Sequence, residues 1–226
     1  QIYYTKPEVH NQTDLYLLAP HCHYIFPSRK IHHSTFKPLK VLPKQGFFSG
    51  ILANQYNPEE TKIVVLLNGA QEKHLPKPLY RKSRGLVVLE LISVENSLQY
   101  WQSLDLTDIE PFTIVIFENN KLLQLQWNEV KKSEEEKDEN QFHIWSSSTL
   151  YSKEIRAQRK VWFTNFIQEN NNPKPEEILY FHQFTEFENK EFGLQINRNA
   201  ILKTISITQC KVTNDKIEMI YLDLFE

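Results

Sequence analysis

The stretch "TKIVVLLNG", residues 61–69, constrains the fold more than any other. Ile63 to Leu67 are aliphatic at every position, with β-branched residues leading. A strand facing water on one side would alternate apolar and polar residues. A continuous run has no face to give to water, so this strand must be covered on both sides. The chain therefore needs at least one further layer on each side of the sheet that holds residues 63–67.

The rest of the sequence supplies those layers. "QIYYT" and "DLYLLA" read as two strands around a polar turn near Asn11, and residues 27–45 read as a loop rich in Pro and Lys. "GFFSGILANQ" pairs with "TKIVVLLNG" as a hairpin punctuated by Asn57-Pro58. A basic loop, "QEKHLPKPLYRKSRG", leads to a helical stretch over about 85–104, which Ser93 divides. Leu86, Leu89, Leu98 and Trp101 are its expected apolar face. "PFTIVIFENNKLLQLQWN" is a hairpin turning at Asn119-Asn120, and "KKSEEEKDEN" reads as a solvated charged loop. Ser152 is the expected N-cap of a helix running to about Ile167. Ile155, Trp162, Phe163, Phe166 and Ile167 form its apolar stripe, with Lys153, Arg156, Arg159 and Lys160 elsewhere. A second helix begins near Pro175 and ends near Phe184, and "FGLQI", "KTISITQ" and "KIEMIYLDL" return to strand. The order is α+β, with helices covering a largely antiparallel sheet system.

Composition excludes several classes. A net charge of −2 gives no basic excess for nucleic acid. No apolar run approaches the ~18 residues of a membrane helix, so no membrane insertion is expected. The cysteines, Cys22 and Cys210, are far apart and outside any CxxC, which makes a cytoplasmic location the expectation, with an exported form as the alternative.

Chemistry concentrates in few places. "APHCHY" crowds His21, Cys22 and His23 together. On a strand His21 and His23 share one face and Cys22 takes the other, which suits the start of a metal site better than a Cys–His dyad. His10, His32 or His33 is a candidate third ligand. Ser146, Ser147 and Ser148 read as a strand end feeding a helix cap; a nucleophilic serine would need a base and an oxyanion site, and no GxSxG is present. Asn68, before Gly69, is either a turn residue or an amide aimed into a pocket. Arg84, with Arg81 and Lys82, is either solvated or an anion contact. The residues alone reach a soluble α+β domain with a polar pocket near Asn68 and Ser146.

The segments "VVLLNGAQEKH", "YRKSRGLVVLEL", "IEPFTIVIF", "IWSSSTLYSKEIRAQRKVWFTNF", "GLQINR" and "LKTISITQ" resemble, in order, the NRDE family in its Bacteroidetes-type branch. Eukaryotic members are the transport-and-Golgi-organisation proteins. The resemblance treats 1–226 as a single domain, diverged over 1–60 and close over 63–226. It implies the N-terminal-nucleophile hydrolase fold, a four-layer α-β-β-α sandwich with two mainly antiparallel sheets between helical layers. The family exposes an amino-terminal Cys whose own α-amine acts as base, and an Asn-Arg-Asp-Glu motif follows. Here Gln1 falls at the nucleophile's place, and His21, Cys22, His23 and Tyr24 fall on the motif. A later Gly-Gly-Thr-Trp feature is reduced to Ser49-Gly50-Ile51-Leu52. Asn68 matches the family's Leu-Asn-Gly, an oxyanion donor in an active relative.

The resemblance implies a non-catalytic member that keeps a pocket for a small-molecule ligand, with His21, His23, Asn68, Arg84, Ser146, Ser147 and Ser148 as pocket candidates and no cofactor. Two alternatives stand beside it. One is an amidohydrolase acting on C–N amide bonds with a displaced nucleophile, Cys22 being the nearby candidate. The other is a metal- or haem-handling protein through His21 and His23.

Overall fold

The computed structural model describes residues 2–5, 15–24, 50–55, 61–212 and 217–224, with side chains over 61–212 and 218–224. The turn near Asn11, the loop over 27–45 and the Asn57-Pro58 turn lie outside the described residues. The elements in chain order are β1 (Ile2–Thr5), β2 (Leu15–Tyr24), β3 (Gly50–Gln55), β4 (Thr61–Asn68), α1 (Arg84–Ser93), α2 (Ser97–Ser103), β5 (Phe112–Glu118), β6 (Lys121–Trp127), β7 (Lys132–Lys137) and β8 (His143–Trp145). They continue with α3 (Lys153–Glu169), α4 (Pro175–Phe184), β9 (Asn197–Arg198), β10 (Leu202–Val212) and β11 (Ile217–Asp223). The protein is mixed α+β, with two antiparallel sheets and four helices among the described residues.

One sheet has the order β3-β4-β5-β6-β7. Its central strands are buried on both faces, as the aliphatic run requires. Val64 and Leu66 pack with Val87, Val88 and Leu91 of α1 and Trp101 of α2. On the opposite face, Ile63, Val65 and Leu67 pack with Val115 and Phe117 of β5 and with Cys210 and Val212 of β10. Each such aliphatic side chain contributes roughly 1.5–3 kcal/mol by leaving water. The β5–β6 hairpin turns on Asn119 (φ 53°) and Asn120 (φ 57°), the left-handed pair of a type I′ turn that matches strand twist.

The other sheet has the order β11-β10-β2-β1-β8, with β9 against the start of β10. Ile207 of β10 packs with Phe163 of α3 and with Ile178 and Phe181 of α4. The α3 stripe meets this cluster through Trp162, Phe163, Phe166 and Ile167, while Ile155 packs with Tyr151, Ile196 and Leu202, and Ser152 caps the helix by accepting from Ile155 N.

Four expectations need correction. "KKSEEEKDEN" is not all loop: its first part is β7, paired with β6 along Lys132–Lys137. An edge strand exposing charge discourages further pairing, so a polar run and a strand are compatible there. Leu86 and Leu89 are exposed, and α1 buries Val87, Val88 and Leu91 instead. Arg159, placed off the apolar stripe, is 0% exposed all the same. Its guanidinium lies 3.7 Å from the Tyr151 ring centre, and Nε donates to the Phe192 carbonyl at 3.2 Å. Nη2 donates to the Gly193 carbonyl. That bears on the fourth correction: "FGLQI" is irregular at its start, where the carbonyls of Phe192 and Gly193 serve Arg159, while the Ile196 carbonyl accepts from Thr204 N. A Cβ on Gly193 would come 2.3 Å from the Glu186 carbonyl oxygen, so the crossing admits only glycine.

At one end of the sheet Lys62 and Glu118, paired in register across β4 and β5, form a buried ion pair. Lys62 Nζ also reaches the carbonyls of Leu91 and Val94. Glu118 Oε2 accepts from Ser97 N at 3.1 Å. A cation thus meets the C-terminus of α1 and a carboxylate the N-terminus of α2, each complementing the local dipole. Lys62→Met should cost about 3–5 kcal/mol in urea unfolding by stranding a buried carboxylate. Lys62→Met with Glu118→Gln should cost less, because the amide oxygen still accepts from Ser97.

His182 of α4 is fully buried, and that burial holds its pKa well below the ordinary value. The unfolded chain then binds a proton that the folded chain refuses. Stability should fall as pH drops below about 6.5, the unfolded value, and go on falling until the depressed folded pKa is reached. Urea midpoints measured against pH should show this slope, and His182→Gln should flatten it.

Candidate functional site

The two sheets stay in apolar contact around Cys210 and Val212 but part at the opposite end of β4, where the strand leaves through Asn68 and Gly69. Gly69 has φ +83°, and a Cβ there would lie 2.2 Å from Ser148 Oγ. Its N–H donates to the Pro111 carbonyl at 2.9 Å, and its carbonyl accepts from Thr113 Oγ1 at 2.9 Å. Ser147 Oγ donates to the Asn68 carbonyl at 2.7 Å, and Ser148 Oγ to the Glu72 carbonyl at 3.2 Å. These bonds bind the end of one sheet to the segment that leaves the other at Trp145.

Beside this joint is an open cleft of about 390 Å³. The first sheet contributes Leu67, Thr113, Gln124 and Gln126; the second contributes Ile144 and Trp145, with Ser146 just beyond its strand. Lys153, Arg156 and Lys160 of α3 complete one wall, and Glu72 is the carboxylate among the described lining residues. The amides are ordered by a chain of hydrogen bonds. Gln71 Nε2 donates to Gln126 Oε1 at 2.7 Å, and Gln126 Nε2 donates to Thr113 Oγ1 at 3.0 Å. Trp145 Nε1 donates to Gln124 Oε1 at 2.6 Å, which fixes the indole against β6.

The pocket candidates separate on this geometry. Ser146 lines the cleft. Ser147 and Ser148 are buried beside it, their hydroxyls committed to backbone carbonyls. Asn68 follows Val64 and Leu66 onto the helix-facing side of β4; it is buried, and its Oδ1 has no hydrogen-bond partner among the described residues. Arg84 stands away from the cleft at the start of α1. Its Nη2 is 2.8 Å from Glu110 Oε2, and Nη1 donates to the Pro111 carbonyl at 3.1 Å. Burial lowers its pKa, with Glu110 opposing the shift. Arg84 therefore supports the loop under Gly69 and is not among the residues that line the cleft.

The amino-terminal candidates are placed by backbone register. Ile2 pairs with Trp145, so β1 begins beside the cleft; Gln1 itself lies outside the described residues. Leu18 is the last β2 residue registered with β1, and β2 runs on past that point against β10. There His21 lies opposite Ser206, Cys22 opposite Thr204 and His23 opposite Lys203, with a bulge between Thr204 and Ser206. No cluster of metal-ligating side chains occurs among the described residues, and the side chains of His21, Cys22 and His23 are not among them.

Sequence reasoning missed Gln71, Gln124, Gln126 and the α3 cations as one site. A signal was present. Leu123, Leu125 and Trp127 pack under the helices, so Gln124 and Gln126 must face the other sheet, an unusual place for amides. No protein-family model matches the chain, and no curated protein gives a significant match.

Gly69→Ala should destabilise the protein by about 2 kcal/mol, from left-handed strain and the encounter with Ser148. The same substitution should shift the Trp145 indole signal in a nitrogen-correlated NMR spectrum, because Ser146 to Ser148 carry that wall of the cleft. An unchanged spectrum would show that the joint does not position the wall.

Proposed function

We propose that this chain is a non-catalytic member of the NRDE family, with the four-layer sandwich of N-terminal-nucleophile hydrolases, whose cleft holds a small-molecule ligand. The observation that carries the reading is the register of Ile2 with Trp145. In the fold implied by the resemblance, the first residue of this strand is the nucleophile, and here the strand starts at the cleft. The packing order supports the same fold: α1 and α2 against one sheet, that sheet against the other, and α3 with α4 beyond. Laid on the family pattern that the resemblance implies, Gln1 falls at the nucleophile position and His-Cys-His-Tyr at Asn-Arg-Asp-Glu. A carboxamide side chain is no nucleophile, so the scaffold is read as keeping the pocket and losing the reaction.

A reducing, cytoplasmic setting fits the cysteines. Cys210 registers with Leu17 while Cys22 registers with Thr204, and five residues along β2 separate the two positions by ~17 Å. Strands at that offset cannot form a disulfide. Cys210 is buried, and burial pushes its thiol up to about 12, so it is inert at neutral pH.

Incubation with an activated ester such as p-nitrophenyl acetate, followed by intact-mass and peptide mapping, should yield no acyl-enzyme and no turnover above the buffer rate. A hydroxylamine-labile adduct on Cys22 or on the amino-terminal residue would replace this reading with the amidohydrolase one. Stoichiometric metal or haem in purified protein, lost in a His21→Ala/His23→Ala variant, would replace it with the third.

A further inference from the structure

The α3 wall of the cleft carries a charge arrangement that the fold does not use. Lys153, Arg156 and Lys160 lie at i, i+3 and i+7, one face of the helix, and all three line the cleft. None of them is in an ion pair among the described residues. Arg156 Nε is buried and has no hydrogen-bond partner among the described residues. An atom closed to water is closed to a ligand oxygen as well, so an anion in the cleft would meet the rest of the Arg156 guanidinium. The nearby carboxylates do not fill the role. Glu154 is held at the helix start by Ser152 and attracts Lys153 and Arg156 from there without a direct ion pair to either, and Glu72 is exposed.

The remaining walls define the rest of the ligand. Trp145 and Ile144 offer an apolar surface, and Gln71 with Gln126 offers oriented amide donors and acceptors. We propose that the cleft binds a small organic acid that also carries an amide: its carboxylate on Arg156 between Lys153 and Lys160, its amide against Gln71 and Gln126, its apolar body on Trp145. Arg156 suits this role because a planar guanidinium can present two N–H groups to one carboxylate. The inference rests on the cleft being the ligand site of the proposed function, and is independent of whether the cleft hydrolyses what it binds.

The test compares N-acetylphenylalanine with its neutral counterpart N-acetylphenylalaninamide. Binding is followed through the Trp145 indole N–H signal, assigned by its loss in Trp145→Phe. The acid should bind about tenfold more tightly than the amide, the margin of one charge-assisted hydrogen bond. Arg156→Gln should remove that margin, bringing acid and amide to equal affinity, and its thermal unfolding reports whether the variant is folded. Lys153→Gln/Lys160→Gln, on the exposed rim, should lower the acid's affinity severalfold and reduce its salt dependence. Equal affinity for acid and amide overturns the proposal, as does an undiminished margin in Arg156→Gln or in the lysine pair. Failure of the acid to shift Trp145 overturns it too. Hydrolysis of the probe's amide bond would instead overturn the non-catalytic reading while leaving the charge preference standing.

Discussion

The double-sided burial of β4 and β5 is the constraint on which the rest of the structure depends. Ile63, Val65 and Leu67 look toward one sheet while Val64 and Leu66 look toward two helices. A strand so enclosed has nowhere to place a polar group except at its ends. Its two ends are therefore where the polar chemistry is found, and they solve the problem differently. At Lys62 the answer is a closed arrangement: a cation, a carboxylate and the dipoles of two helix ends satisfy one another. At Asn68 the answer is open, because the backbone carbonyls are satisfied by Ser147 and Thr113 while the space between the sheets widens into a cleft.

The cleft exists because the apolar filling between the sheets stops. Leu122 of β6 still belongs to the inter-sheet cluster, and Gln124 and Gln126, on the same face, do not. Replacing two aliphatic side chains by amides forgoes several kcal/mol of burial. The amides recover part of that by bonding to Trp145, Gln71 and Thr113. Such a chain has direction: Thr113 donates to the Gly69 carbonyl, so it must accept from Gln126, and Gln126 must then accept from Gln71. The fold at Gly69 thereby sets which polar atoms the cleft presents.

Much of this architecture was legible in the sequence, and for identifiable reasons. The aliphatic run, the Asn119-Asn120 turn, the Ser152 cap and the Pro175 start are local signals, each tied to backbone geometry that neighbours cannot easily override. What escaped was set by tertiary contact. Arg159 looks like a surface residue until Tyr151 and the carbonyls of Phe192 and Gly193 are brought to it. Leu86 and Leu89 look like core until the rotation of α1 places Val87, Val88 and Leu91 inward. The serines divided for the same reason. Three adjacent hydroxyls are equivalent in sequence, yet only the backbone path past Gly69 decides that Ser146 lines the cleft while its neighbours are used as fasteners.

The His21-Cys22-His23 stretch gains its meaning from the same geometry. Its histidines first draw attention as isolated ligands, but the register puts them on a strand that overruns the start of β1, at the end of the sheet where the cleft opens. Reaction would require a nucleophile and a base brought together at the start of β1, and neighbours along a strand diverge to opposite faces. Binding asks less: an unfilled volume, oriented amides and a row of cations with no direct ion pair among the described residues. Those features occur together in the described cleft, and for this reason the functional reading belongs to the cleft rather than to the motif that is most conspicuous in the sequence.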